Sequence, residues 1–219
     1  MICGVDEAGR GPVIGPLVVA GVKCENEIQL KEIHVRDSKK YTPLKRTQLA
    51  EKIKRIIRGY ELIIIPASDI DAMRRVMTLN EIEVYAFSKI IDMLKADVCY
   101  VDSADVNEKR FGEHILVRLS YQPQIISKHK ADELYPVVGA ASILAKTKRD
   151  EIVCKIERRL RKKLDLPLGS GYPADPITQQ FLKTWLEKFK VLPPHVRCSW
   201  KTTQKLLSKQ YSKRLDDFV

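Results

Sequence analysis

Short apolar runs rich in valine and isoleucine recur at 2–5, 17–22, 62–65, 98–101 and 124–127, with stretches of helical spacing between them. Runs this short, separated by helical patterns, fit buried strands and predict an α/β fold. The helices have readable starts. Thr42 and Pro43 form an N-cap and first-turn pair ahead of Leu44, Leu49, Ile53, Ile56 and Ile57, and Asn80 with Glu83 three residues on has the form of a capping box. Both helices are expected to pack on the sheet. A third is predicted over 137–164, where Gly139, Ala140, Ala141 and Ser142 permit close approach and Ile152, Ile156 and Leu160 continue the apolar stripe. Gly169, Ser170, Gly171, Tyr172 and Pro173 read as a loop, and Asp175 with Pro176 caps and starts a helix to about Lys190. Pro193 and Pro194 interrupt the chain before a last helix from about Thr202 and a frayed tail. On this reading a core domain spans 1–175, and 176–219 form a helical C-terminal appendix.

Composition narrows the class. With 219 residues, 44% hydrophobic and 31% charged, the chain can bury a real core and does not have the make-up of a disordered one. Its longest apolar runs fall far short of the roughly 18 residues that cross a bilayer, so no membrane association is expected. Asp6 and Glu7 follow Met1 where a secretory signal would need a basic start and an apolar stretch, which predicts a cytoplasmic protein. Cys3, Cys24, Cys99, Cys154 and Cys198 are odd in number and scattered, which suggests neither a disulfide framework nor a zinc site. The net charge of +11 is unevenly spread: residues 151–219 carry +8 of it. A basic C-terminal third behind a nearly neutral domain fits a polyanion, nucleic acid before membrane. On composition alone a solvated, charged helix face fits as well. No heptad or second interface signal appears, so a monomer is expected.

Candidate chemistry sits at the strand ends. Asp6 and Glu7 follow the first apolar run, Asp102 the fourth, and Asp132 lies a few residues beyond the fifth. Ligands gather at strand ends in α/β sheets. Clustered carboxylates repel one another and persist when cations neutralise them, which points to two hard divalent ions, Mg²⁺ or Mn²⁺, and to phosphodiester hydrolysis. The same acids are also open to a plainer reading, Asp102 capping a loop and Asp132 heading a helix. Neighbouring strand residues point to opposite faces, so one of Asp6 and Glu7 is expected where the strand ends, reaching around it.

The string Asp6-Glu7-Ala8-Gly9-Arg10-Gly11-Pro12-Val13-Ile14-Gly15-Pro16-Leu17 resembles the opening signature of ribonuclease HII. The resemblance continues at Asp37-Ser38-Lys39, Tyr100-Val101-Asp102, Lys128-His129-Lys130-Ala131-Asp132, Ala140-Ala141-Ser142-Ile143-Leu144-Ala145-Lys146, Arg149-Asp150 and Gly169-Ser170-Gly171-Tyr172-Pro173, and covers about residues 1–190. It implies a ribonuclease H-like fold, a mixed sheet flanked by helices. It also implies hydrolysis of the RNA strand of RNA/DNA hybrids and nicking of DNA duplexes on the 5′ side of embedded ribonucleotides, leaving 3′-hydroxyl and 5′-phosphate ends. Under that resemblance Asp6, Glu7, Asp102 and Asp132 are the metal-binding catalytic tetrad. Gly9, Arg10 and Gly11 fall on the motif whose backbone meets the ribose 2′-hydroxyl, the group that separates RNA from DNA. Tyr172 falls on the tyrosine that packs on the following deoxyribose.

Other substrate-contact candidates follow from the same blocks. Ser142, Lys146 and Arg149 recur at helical spacing and present a hydroxyl and two cations for phosphates, though exposed Lys and Arg are often simply solvated. Lys39, Lys128 and Asn80 are further backbone-contact candidates, and for Asn80 capping is as good an account. His129 is not required by the family pattern. Tyr41 stands where the family more often has leucine. The closing segment 212–219 resembles a degenerate sliding-clamp box with Leu215 and Phe218 as its anchors, Ser212 replacing glutamine and Val219 the second aromatic; a frayed tail is the alternative. Competing readings are a silent duplex-binding module, the related ribonuclease HIII, and a nuclease for all-DNA substrates.

Overall fold

The computed structural model describes residues 1–35 and 41–216, with the side chains of 211–216 excepted. The chain forms two compact units. The first comprises Met1–Ala8, Leu17–Ile64 and Met77–Asp150, and the second Gly9–Pro16, Ile65–Val76 and Glu151–Val219. This division differs from a single boundary at 175: the Gly169–Pro173 loop falls in the second unit together with the glycine loop at 9–16.

The first unit is built on a five-stranded mixed sheet of β1 (Ile2–Ala8), β2 (Leu17–Cys24), β3 (Gly59–Ile65), β4 (Val98–Asp102) and β5 (Gln124–Lys128), in the order β3-β2-β1-β4-β5. β1 runs antiparallel to β2 and parallel to β4, and β4 runs parallel to β5. All five apolar runs are strands, and the burial is deepest in β1 and β2, while β3 and β5 at the sheet edges are partly exposed. Helices α1 (Ile28–Glu32), α2 (Pro43–Ile56), α4 (Leu79–Leu94), α5 (Glu108–Leu116), α6 (Ala131–Leu134) and the first part of α7 (Pro136–Arg161) complete the unit; α3 (Ala67–Met73) belongs to the second. α4 packs on β1 and β2, and α5 on β5.

Two local rules explain how the helices meet the sheet. Thr42 caps α2 through the Lys45 N–H, with Pro43 in the first turn, as its sequence predicts. The cap of α4 is Thr78, not Asn80: the Thr78 hydroxyl accepts from Glu81 N–H at 3.2 Å, and Glu81 accepts from Thr78 N–H at 2.7 Å. This reciprocal pair satisfies two helix-end donors two residues earlier, which leaves Asn80 and Glu83 inside the helix. At β1, a Cβ on Gly4 would stand 2.5 Å from Val137 O and Val138 N, so only glycine lets the start of α7 lie against the strand.

The second unit holds α3, the end of α7, α8 (Pro176–Phe189) and α9 (Lys201–Asp216), and the end of α7 and α8 contribute to a core of Val13, Ile14, Ile156, Leu160, Phe181, Leu182, Trp185 and Val196. Asp175 caps α8 by accepting from Ile177 N–H at 3.0 Å, and Pro176 opens its first turn. The bridge between Ile14 and Val196 ties the glycine loop to the segment before α9.

Candidate active site

Three of the four predicted acids share one side of the sheet. Gly4 and Asp6 alternate onto the β1 face that α7 covers. In the parallel register Gly4 pairs with Tyr100 and Val5 with Val101, so the next step sets Asp6 beside Asp102 on neighbouring strands. Asp102, the last residue of β4, accepts from Ala131 N–H at 2.7 Å, which pins the start of α6 and the adjacent Asp132. Lys130, in the left-handed region at φ 54°, makes the turn that brings α6 back over the strand end. Glu7 differs. β1 continues through both acids to Ala8, so neither sits at a strand terminus, and alternation starts the Glu7 side chain on the opposite face. The Asp6 carboxylate instead folds back onto Glu7 N–H at 2.7 Å.

Asp6 and Asp132 are both buried. Burial pushes the Asp6 carboxyl above its ordinary value, and the Asp132 carboxylate adds to the rise; the Lys146 ammonium and the Ser142 hydroxyl pull it down. Lys146 Nζ lies 3.9 Å from Asp132 Oδ2 and donates to Ser142 Oγ. The cluster therefore concentrates negative charge where water is scarce and tempers it with one ammonium. Among the described residues, no three His, Cys, Asp or Glu side chains are drawn together closely enough to hold one metal ion, and like-charge repulsion opposes closer approach. The donor chemistry nonetheless fits a hard divalent cation: a buried carboxylate pushed up by burial and by the charge of its neighbour is what such an ion stabilises.

The structure places the other candidates in different settings. Ser142 is fully buried and Arg149 is 7% exposed, so with Lys146 they do not form an open stripe for phosphates. The small residues ahead of them let α7 lie close against α6: at Gly139 a Cβ would come within 3.0 Å of Asp132 O. Ser142 and Lys146 instead join the acid cluster. Lys128, at the end of β5 opposite Asp102 in register, pairs with Glu108 at 3.1 Å, and Glu108 also accepts from His129 N–H at 2.7 Å. Asn80 hydrogen-bonds Asp105, whose carboxyl is lowered to about 2 chiefly by Arg110 and then by the Asn107 N–H. Lys39 and Phe218 lie outside the described residues, as does the side chain of Leu215.

In the second unit the glycine loop and Tyr172 are in contact. Val13 N–H donates to Gly171 O at 2.7 Å, and a Cβ on Gly11 would press on Tyr172 Cε1 at 3.3 Å. Tyr172 is 47% exposed, an aromatic on the surface with room for a ligand. Its loop is fixed by Asp175, which accepts from the Ser170 N–H and hydroxyl at 2.6 and 2.7 Å, and by Thr178, which accepts from Gly171 N–H at 2.9 Å. Sequence reasoning did not find Arg197, which is fully buried beneath the glycine loop. Nothing local marks it, because its partners lie more than 180 residues away.

A mixed sheet of this order, flanked by helices and carrying acids side by side on neighbouring parallel strands, defines a ribonuclease H-like hydrolase. A family model described as Ribonuclease HII matches residues 3–203. The ribonuclease HII of Methanosarcina barkeri is 46% identical over 216 residues, covering 94% of this chain and 95% of that protein. The crystal structure of ribonuclease H2 from Pyrococcus horikoshii OT3 superposes with a TM-score of 0.87 at 39% identity, covering 95% of this chain and 97% of that one. The ribonuclease HII of Archaeoglobus fulgidus, seen in its complex with PCNA, gives 0.84 at 41% identity, covering 94% and 96%. The chain belongs to the ribonuclease HII family, a family of metal-dependent type 2 ribonuclease H enzymes. Among the described residues no helix is long and apolar enough to cross a membrane.

Proposed function

We propose that this chain hydrolyses the RNA strand of RNA/DNA hybrids and nicks DNA duplexes 5′ of embedded ribonucleotides in the cytoplasm, leaving 3′-hydroxyl and 5′-phosphate ends. The observation that carries the reading is the gathering of Asp6, Asp102 and Asp132 on the α7-facing side of two neighbouring parallel strands. These three, with Glu7 reaching around β1 from its other face, would hold two Mg²⁺ or Mn²⁺ ions, which when bound supply water activation and charge neutralisation at the scissile phosphate. The protein's own part is positional. Asp102 keeps α6 and Asp132 in place through Ala131 N–H, and Lys146 holds a positive charge beside Asp132. In the second unit, Gly9, Arg10 and Gly11 meet the ribose 2′-hydroxyl and Tyr172 packs on the following sugar, so that hydrolysis requires a ribonucleotide.

Residues 176–219 serve as a duplex-binding lobe. Support comes from the groove between α8 and α9, where Gln179, Gln180, Lys183, Lys205 and Lys209 offer donors to a phosphate backbone without reading sequence. Residues 212–219 bind a sliding clamp through Leu215 and Phe218. The Archaeoglobus relative in its PCNA complex supports this, and an unchanged clamp affinity after deleting 212–219 would refute it.

The test of the central reading uses two labelled duplexes, one all DNA and one with a single ribonucleotide, with and without Mg²⁺, against the wild type and Asp102→Asn. Cutting of the ribonucleotide duplex alone, with metal alone, and by the wild type alone is expected. Cutting of both duplexes would make this a general acid-cluster nuclease, and binding without cutting would overturn the tetrad.

A further inference from the structure

Arg197 heads the fully buried side chains ranked by volume among the described residues, and it carries a charge. Its Nε donates to Gly15 O at 3.0 Å, its Nη1 to Arg10 O at 3.0 Å and its Nη2 to Gly9 O at 2.6 Å. Its backbone N–H donates to Val13 O at 2.8 Å. The guanidinium lies over the Trp200 ring, 4.7 Å from the centroid, and Trp200 Nε1 donates to Gly11 O at 3.1 Å. Five carbonyls of the glycine loop are thus gripped by one short segment. That segment is itself held: Asp71 accepts from Cys198 N–H, Ser199 N–H and the Ser199 hydroxyl at 2.7, 2.9 and 2.6 Å.

Burying a guanidinium is costly unless its donors are satisfied, so the arrangement needs a reason. A planar fork with donors at fixed angles can hold three carbonyls at once; the single nitrogen of lysine cannot reproduce that geometry. The consequence follows from peptide planarity. In a trans peptide the C=O and the following N–H point in opposite directions. With Gly9 O and Arg10 O drawn to the guanidinium, the N–H groups of Arg10 and Gly11 are turned away from it. Those are the main-chain donors of the block assigned above to the ribose.

We infer that Arg197 is a positioning residue for ribose recognition: by holding the carbonyls of Gly9, Arg10 and Gly15 it sets the peptide planes that meet the 2′-hydroxyl. This rests on the reading of the glycine loop as the ribose contact. Arg197 itself touches no substrate, and acts through the loop.

The test is a ratio of affinities, which does not depend on the active fraction of a preparation. In an Asp102→Asn background with Mg²⁺, binding of a duplex with one ribonucleotide is compared with binding of the same sequence as all DNA, by fluorescence anisotropy, with melting followed in parallel. Arg197→Lys and Arg197→Gln are expected to lower the ribonucleotide preference about tenfold, the size expected when hydrogen bonds to a charged group are lost, with all-DNA binding unchanged. Trp200→Phe, which keeps a ring against the guanidinium but loses the Gly11 bond, is the milder variant and lowers the preference two- to fourfold by the same rule. Gly11→Ala tests the loop itself. If Gly11→Ala leaves the preference intact, the loop reading fails and takes this inference with it. If Gly11→Ala abolishes the preference while the Arg197 and Trp200 variants melt earlier but keep it, Arg197 is only a structural residue and the inference alone is overturned.

Discussion

Gly4→Ala is the most incisive single change, because it adds one carbon where the backbone of α7 comes closest to β1. The new Cβ would stand 2.5 Å from Val137 O and Val138 N, roughly 1 Å inside the 3.4 Å at which ordinary contact begins. No side chain can rotate away, since both opposing atoms are main chain. The helix start must therefore retreat by about that distance or the strand must bend. Overpacking of this kind costs about 1–3 kcal/mol, which for a chain of 219 residues is a fall in Tm of roughly 2–12 °C. The functional effect should exceed the thermal one. Ser142 and Lys146 ride on α7 beside Asp6, and Lys146 also faces Asp132, so a 1 Å retreat displaces the groups that temper the acid cluster. A misplacement of that size costs on the order of 100-fold in rate. The assay pairs thermal melting with kcat on a duplex containing a single ribonucleotide. Gly59→Ala is the internal control, because a Cβ there meets nothing within 4 Å, and it should leave activity intact and melting equal or slightly higher. Wild-type melting and wild-type kcat in Gly4→Ala would refute the packing of α7 on β1 and the placement of the acid cluster that depends on it.

Asp102→Asn should abolish cleavage by at least about 100-fold while melting within a few degrees of the wild type, since the amide oxygen can still accept from Ala131 N–H; a large fall in Tm would mean that the carboxylate charge is structural. The Asp175 carboxyl is lowered to about 2, first by the Ser170 hydroxyl and then by the Ser170 N–H. A depressed carboxyl contributes stability that is present above its unfolded value near 4 and is lost as pH falls through about 2. Urea midpoints measured between pH 5 and 2 should therefore fall less steeply in Asp175→Asn than in the wild type, and identical slopes would contradict the assigned cap. Phe181→Ala, in the core of the second unit, should cost about 3–5 kcal/mol by the cavity it leaves, read from the urea midpoint; a loss under 1 kcal/mol would show that the core collapses around it.

The strands were legible because each is covered on one or both faces and so reads as an apolar run. Their ends were not. β1 carries on through Asp6 and Glu7 to Ala8, and β3 begins at Gly59, because main-chain pairing continues where apolarity stops. The unread helices α1, α3, α5 and α6 span five, seven, nine and four residues, all shorter than the window of about 11 over which a 3.6-residue period declares itself. The cap of α4 was misplaced by two residues because Asn80 with Glu83 and Thr78 with Glu81 both satisfy the same spacing, and only the hydrogen bonds separate them. Helical spacing also found the face that carries Ser142, Lys146 and Arg149. It could not tell which way that face turns, and the glycine and alanines beside Ser142 turn it inward.

Arg197 shows the deeper limit of a linear reading. An arginine in a short segment between prolines and a terminal helix has the look of a solvated cation, and the charge balance of the C-terminal third counts it as one more. What makes it different is a set of acceptors contributed by residues 9–15, brought to it by the bridge of Ile14 with Val196. The second unit is assembled from three separate stretches of chain, so the contacts that join those stretches are of long range. A motif names the residues that meet a ligand, and spacing within the motif can be read. The residue that gives the motif its shape leaves no trace in that spacing, because the peptide planes it orients belong to another part of the sequence. Specificity for a single hydroxyl is sensitive to the aim of a few N–H groups, and a rigid buried fork is a more dependable way to fix that aim than the intrinsic preference of two glycines, whose backbones are the least constrained in the chain.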